Sequence, residues 1–262
     1  MKLIVCGKGG SGKSTVTSLL ARQHARTGNR VVVVDTDVSN AGLHRILGTA
    51  APPDLMGHFG GKAAVQKFIE EAQESDEMPE TPVLGRWRFD ELPEGYHTTA
   101  DGVRLVAIGK LLDATEGCTC TLSALTRQFI VGLELAGNDL IVVDTEAGVE
   151  HFGRGIDTLC DAIVMVVDPS YESICLVGKI SDMAASIGVP LFLVLNKTDA
   201  ATSAALRNTL KADERIIGEF GLDPALIAAG LEGRALPAGH PEAAKVLQAV
   251  ADRLAAARPA GA

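Results

Sequence analysis

The chain has 262 residues, 47% of them hydrophobic but only one Trp and two Tyr, enough for a large core of Val, Ile, Leu and Ala. A net charge of −9 argues against non-specific nucleic-acid binding as the main task, which needs a basic footprint. No run of about 18 apolar residues offers a membrane span, and Met1 leads straight into a strand with no signal segment, so no membrane partner and a cytoplasmic location are expected.

An apolar strand over residues 3–6 runs into Gly7-Lys8-Gly9-Gly10-Ser11-Gly12-Lys13-Ser14, and a helix follows over 15–26. This is a phosphate-loop pattern in its proper strand-to-helix context. Gly7, Gly9, Gly10 and Gly12 let the backbone wrap a phosphate chain with N–H groups inward, and the following helix adds its dipole. Lys13 would reach the β- and γ-phosphates, Ser14 would ligate Mg²⁺, and Gly9, Gly10, Ser11, Gly12 and Thr15 would complete the nucleotide cradle. Lys8 is not needed for cradling phosphates, so it is either a plain surface lysine or a second functional cation.

Gly28-Asn29 stops the helix, and residues 30–35, with Val31 to Val34 in one run, read as a parallel strand buried on both faces. Asp35-Thr36-Asp37 then lies at its carboxyl end, where such sheets keep their ligand chemistry. Asp37 is the candidate to orient a water, with a helix N-cap or solvated turn as the plain alternative. From 50 to 97 the pattern weakens, with prolines at 52, 53, 79, 82 and 93. That stretch reads as an irregular surface insertion holding a short helix over 62–72, with Trp87 as a core plug in preference to a partner contact.

A strand over 103–108 precedes Glu116-Gly117-Cys118-Thr119-Cys120, a helix over 122–135 and a buried strand over 139–144. Asp144 closes that strand and reads as the Walker B carboxylate of the Mg²⁺ shell. Thr145-Glu146-Ala147-Gly148-Val149-Glu150-His151 follows as a switch-like loop with Gly148 as its pivot. His151 reads as a mobile-loop or interface histidine in preference to a proton carrier. A strand over 162–168, a helix over 173–187 and a strand over 191–195 bring the parallel-type strands to six. The fold class is therefore α/β: a P-loop NTPase with a mostly parallel sheet covered by helices on both faces, residues 1–262 forming one domain with the insertion over about 50–100.

The last of these strands ends in Asn196-Lys197-Thr198-Asp199. Asn196 fits either purine base, whereas an aspartate at Asp199 is the guanine reader of many GTPases. Beyond a helix after residue 200 and the segment 215–220, an Ala-rich helix spans 241–257; lacking a lysine-rich face, it reads as ordinary packing and not as a membrane anchor.

Cys118 and Cys120 can take two positions around a soft or borderline metal but cannot close a tetrahedron alone. Two copies across a two-fold axis would supply four sulfurs. From spacing alone, metal ligands, free thiols and a redox couple all stay open. Cys6, Cys160 and Cys175 read as buried packing residues.

The order Gly-Lys-Gly-Gly-Ser-Gly-Lys-Ser resembles the deviant phosphate loop of the ATPases that include the nitrogenase iron protein, MinD and the partition ATPases. That resemblance implies a nucleotide-dependent homodimer in which Lys8 reaches the partner's nucleotide, Asp37 acts as the switch I aspartate and Asn196 contacts adenine. It also sets ATP against the GTP reading of Asp199, and Lys8 weighs more because it belongs to the phosphate chemistry. The family usually has Pro where Val38 stands. With the Cys-x-Cys segment and Glu146-Ala147-Gly148-Val149-Glu150-His151, the chain is similar to the CooC family, nickel-insertion ATPases of carbon monoxide dehydrogenase maturation. The likeness implies Ni²⁺ or Zn²⁺ held between subunits by Cys118 and Cys120, with ATP and Mg²⁺ as cofactors and a nickel enzyme, carbon monoxide dehydrogenase, as client. Thr121 stands where that family often has Pro. Two rival readings are a MinD- or partition-type positioning ATPase and a GTPase-like regulatory switch.

Overall fold

The computed structural model describes residues 1–74, 85–109, 120–149, 152, 155–211 and 213–257. Its elements in chain order are β1 (Lys2–Gly7), α1 (Lys13–Arg26), β2 (Val31–Asp35), α2 (Leu43–Leu47), α3 (Leu55–His58), α4 (Lys62–Glu74), β3 (Trp87–Arg88), β4 (Thr98–Ala100), β5 (Val103–Ala107) and α5 (Cys120–Gly132). There follow β6 (Leu133–Glu134), β7 (Leu140–Asp144), β8 (Ala162–Val167), α6 (Tyr171–Ile187), β9 (Leu191–Thr198), α7 (Ala200–Thr209), β10 (Ile216–Gly221), α8 (Pro224–Glu232) and α9 (Pro241–Ala257).

The main sheet runs β10-β9-β8-β1-β7-β2-β5-β4. Every pairing in it is parallel except β4 with β5. Alternation along each strand sends Leu3, Val5, Val31 and Val33 to one face, where α1, α2, α8 and α9 cover them. Ile4, Cys6, Val32 and Val34 go to the other, under α3 to α7. Burial on both faces is why these strands read as unbroken apolar runs. The register sets Val5 and Asp35 on either side of Asp144, so β2 and β7 end level and β1 runs on to Gly7 against β8.

The expected elements are present with shifted ends. Helix α6 starts at Tyr171 because Ser170 caps it, accepting from the Ser173 N–H at 3.3 Å. Helix α5 stops at Gly132, short of residue 135, because Leu133 and Glu134 pair with Trp87 and Arg88. The approach is tight there: a Cβ on Gly132 would lie 2.5 Å from the Gly85 carbonyl oxygen. In the main sheet β4 and β10 are additions to the six expected strands, and β3 and β6 form a separate two-stranded pair.

The stretch read as a surface insertion is in fact partly core. Leu55, Met56, Val65, Phe89, Leu92 and Tyr96 are buried in the α5 side of the sheet. Trp87 is half-buried, its ring 5.4 Å from Tyr96 and 6.1 Å from Phe129, as expected of a plug. Cys6 and Cys160 are buried, but Cys175 lies exposed on α6, because its helical position faces away from the sheet.

Candidate functional site

At the carboxyl edge of the sheet the phosphate loop bridges β1 and α1. Gly7, Gly10 and Gly12 have φ of 146°, 76° and 99°, values that disfavour any side chain. A Cβ on Gly7 would stand 2.5 Å from the Val166 carbonyl oxygen, and one on Gly12 would stand 2.1 Å from Asn196 Nδ2. Two loop carbonyls are turned toward β9. Asn196 Nδ2 donates to Ser11 O at 2.7 Å, and Lys197 Nζ donates to Gly10 O at 2.7 Å. Among the described residues no side chain caps α1, so its first-turn N–H groups remain available to an anion. Lys13, its first residue, is 7% exposed.

Asp144 anchors the floor. Its Oδ2 accepts from Ser14 Oγ at 2.7 Å and its Oδ1 from Thr17 Oγ1 at 3.1 Å, while its backbone carbonyl accepts from Thr36 Oγ1 at 2.9 Å. Burial pushes the Asp144 carboxyl up to about 7, the nearby Asp35 charge adding to the rise and the Ser14 hydrogen bond opposing it. Asn40 Nδ2 donates to Ser14 Oγ at 2.8 Å, and its Oδ1 accepts from the Gly42 N–H at 2.9 Å. A fully buried carboxylate hydrogen-bonded to the Ser14 hydroxyl is a pair of hard oxygens of the kind that fits Mg²⁺.

Asp37 lies in the same cleft as the loop, a space of about 400 Å³. Its Oδ1 accepts from the Ser39 N–H at 3.0 Å and from Ser39 Oγ at 2.6 Å, an Asx-type turn that holds the carboxylate in place. Gly148, at φ 93°, donates its N–H to Gly7 O at 3.1 Å, which ties the switch-like loop to the start of the phosphate loop. Lys8 turns away from this cleft: its Nζ stands 3.3 Å from Asp168 Oδ2.

Cys118, Glu150 and His151 lie outside the described residues, and of Cys120 only its place as the first residue of α5 is described. Among the described residues no group of three or more His, Cys, Asp or Glu is placed to hold a metal. What the structure adds is the setting of α5. Its first turns, through Leu122, Ser123 and Thr126, border a small cavity with Thr36, Val38, Gly109 and Glu146. A Cβ on Gly109 would sit 2.5 Å from Leu122 Cδ2, so the strand end and the helix touch.

Asp199 is the N-cap of α7: its Oδ1 accepts from the Thr202 N–H and Thr202 Oγ1, both at 2.8 Å. The N–H bond from Thr202, followed by its hydroxyl, holds this carboxyl below the usual range. Thr17, Thr36, Asn40, Lys197 and Asp168 escaped the sequence reading. Only Thr17, one turn past Ser14, had a spacing that could have exposed it; the others depend on contacts between distant segments.

Residues 2–236 match the CobQ/CobB/MinD/ParA nucleotide binding domain family. The chain is 38% identical over 248 residues to an uncharacterized ATP-binding protein of Methanocaldococcus jannaschii, covering 95% of this chain and 98% of that one. It is 28% identical over 234 residues to the carbon monoxide dehydrogenase accessory protein CooC of Rhodospirillum rubrum, covering 89% and 88%. In fold it resembles the septum site-determining protein MinD of Pyrococcus horikoshii complexed with Mg-ADP, at a TM-score of 0.65 and 19% identity over 97% and 96% of the two chains. The phosphate loop, the parallel sheet and these likenesses agree, and the chain belongs to the CobQ/CobB/MinD/ParA nucleotide-binding family.

Proposed function

We propose that this protein is a nucleotide-switched homodimeric ATPase that carries nickel, with zinc as the alternative metal, on Cys118 and Cys120 and helps insert it into a nickel enzyme such as carbon monoxide dehydrogenase. That it is an ATPase of the P-loop class follows from its family; the metal, the dimer and the client are the proposal. The observation that carries it is the place of α5. The helix that begins at Cys120 borders Thr36 and Glu146, the segments next to Asp37 and Gly148. A rearrangement around a γ-phosphate therefore has a short mechanical route to α5, the helix whose first residue is Cys120. The likeness to CooC supports the same reading.

In hydrolysis, the N–H groups from Gly9 to Thr15 hold the phosphate chain and Lys13 takes charge on the β- and γ-oxygens. Asp37 orients the water for in-line attack and accepts its proton. As the bond between the γ-phosphorus and the β–γ bridging oxygen breaks, Lys8 of the partner subunit neutralises the charge that grows on the oxygens of the leaving ADP. Ser14, with Asp144 behind it, would hold Mg²⁺, which when bound neutralises β- and γ-oxygen charge. ATP is preferred to GTP because Asp199, the residue a guanine site would need, is engaged at the N-terminus of α7.

A MinD-like positioning ATPase is the second reading, favoured by fold likeness, but it gives the cysteine pair no task. The test is nucleotide-dependent metal release. Reduced protein loaded with Ni²⁺ should hold it differently with ATP and with ADP, scored by transfer to a colorimetric chelator. Nickel retention indifferent to nucleotide contradicts the carrier reading.

A further inference from the structure

We infer that Arg45 is a further nucleotide-binding residue, a second cation that meets the phosphate chain from the wall opposite the phosphate loop. The inference rests on the nucleotide reading of the cleft. That cleft has Gly10, Gly12 and Lys13 on one side and Arg45 and Gly233 on the other. Arg45 belongs to α2, only eight residues beyond Asp37 and directly linked to the Mg²⁺ side of the site. Asn40 joins Ser14 Oγ to the Gly42 N–H, which starts that helix.

The backbone under Arg45 is fixed. Ile46 O accepts from the Leu236 N–H at 2.8 Å, and Leu47 O accepts from Arg22 Nη1 at 2.6 Å. The stem packs against α8: a Cβ on Gly233 would stand 3.0 Å from Arg45 Cδ, so the aliphatic part lies over the left-handed C-cap of that helix. The guanidinium, by contrast, is exposed and has no ion pair or side-chain hydrogen bond among the described residues. Its neighbours differ: Arg22 is bonded to Leu47 O and Asp101, and Arg234 to Glu232. A guanidinium in the lining of the same cleft as the phosphate loop, lacking a carboxylate of its own among the described residues, is arranged for phosphate, which it can meet with two parallel N–H donors. The carboxyl end of α8 helps hold the cation before a ligand arrives.

Equilibrium binding of fluorescent ATP and ADP analogues to wild type, Arg45→Ala, Arg45→Lys and Arg234→Ala tests it. Arg45→Ala should weaken binding about tenfold at low ionic strength, with the gap closing as salt is added. Arg45→Lys should recover part of the loss because it keeps the charge, and Arg234→Ala should match wild type; melting temperatures should agree across the set. A loss for both nucleotides places Arg45 on the α- or β-phosphate, and a loss for ATP alone places it on the γ-phosphate. Wild-type affinity in Arg45→Ala overturns the inference, as does a loss that follows a lowered melting temperature and is not recovered by lysine. Absence of binding by wild type would instead overturn the nucleotide reading itself.

Discussion

Lys8 Nζ stands 3.3 Å from Asp168 Oδ2 of its own chain and 3.8 Å from Glu172 Oε2. Asp168 is itself pinned: Ser170 Oγ donates to its Oδ1 at 2.7 Å and Ser173 Oγ donates to the same atom. Burial pushes this carboxyl up, but the Ser173, Ser170 and Lys8 contacts outweigh it and hold the group below the usual range. A lysine that serves a partner's nucleotide must therefore leave a fixed carboxylate first. The pair is partly exposed and is worth on the order of 0–1 kcal/mol, so a bound nucleotide in a dimer can outcompete it.

The first prediction follows from that contact. Lys8→Ala should lower steady-state ATP hydrolysis on the order of 100-fold or more while leaving ATP affinity nearly unchanged. Asp168→Asn, by weakening the hold on Lys8, should shift nucleotide-dependent dimerisation to lower ATP concentration in sedimentation or light scattering. Hydrolysis at the wild-type rate in Lys8→Ala would remove the trans role.

A pH dependence comes from Asp144. Its folded value near 7 lies above the ordinary carboxylate value of 3.8. The folded state thus binds this proton more tightly than the unfolded chain, and the ligand-free protein loses stability from this group as pH rises from about 4 through 7. Metal-nucleotide binding needs the carboxylate ionised, so affinity for Mg-ATP should rise from pH 6 to 8. Asp144→Asn should bind weakly and flatten that profile relative to wild type in parallel titrations.

Gly12→Ala should fail for a local reason. A left-handed φ of 99° and an approach of 2.1 Å to Asn196 Nδ2 leave no room for a methyl group. A loss of roughly 1–3 kcal/mol in chemical denaturation is expected. Nucleotide binding should fall with it, because the displaced amide of Asn196 releases Ser11 O.

Asp199→Ala separates the two base readings. Removing an N-cap costs about 1 kcal/mol of stability, yet the preference for ATP over GTP in competition binding should stay as it is. A collapse of GTP binding with ATP unaffected would restore the guanine-reading role.

Much of the site lies in local order along the chain. The loop from Gly7 to Ser14, Asp37 and Asp144 each follow a strand of unbroken apolar residues, so strand ends and ligand edge coincide. What stayed hidden depends on distance in sequence. Lys197 reaches Gly10 across 187 positions, Thr36 and Asp144 meet across 108, and Asn40 finds Ser14 across 26. Strand β10 was hidden for another reason: it is an edge strand, half-buried, whose Gly218 and Glu219 break the apolar pattern. The stretch from 50 to 97 looked like surface because its core residues, among them Leu55, Val65 and Phe89, are scattered among prolines and short turns.

The central claim is metal carriage by the cysteine pair, and the direct measurement is nickel bound per chain by reduced, anaerobically purified protein, with oligomeric state read on the same sample. About one Ni²⁺ per two chains, lost in Cys118→Ala/Cys120→Ala while ATP binding persists, is the expected result. No bound metal, with or without nucleotide, would contradict the account and leave a P-loop ATPase whose cysteines serve another purpose.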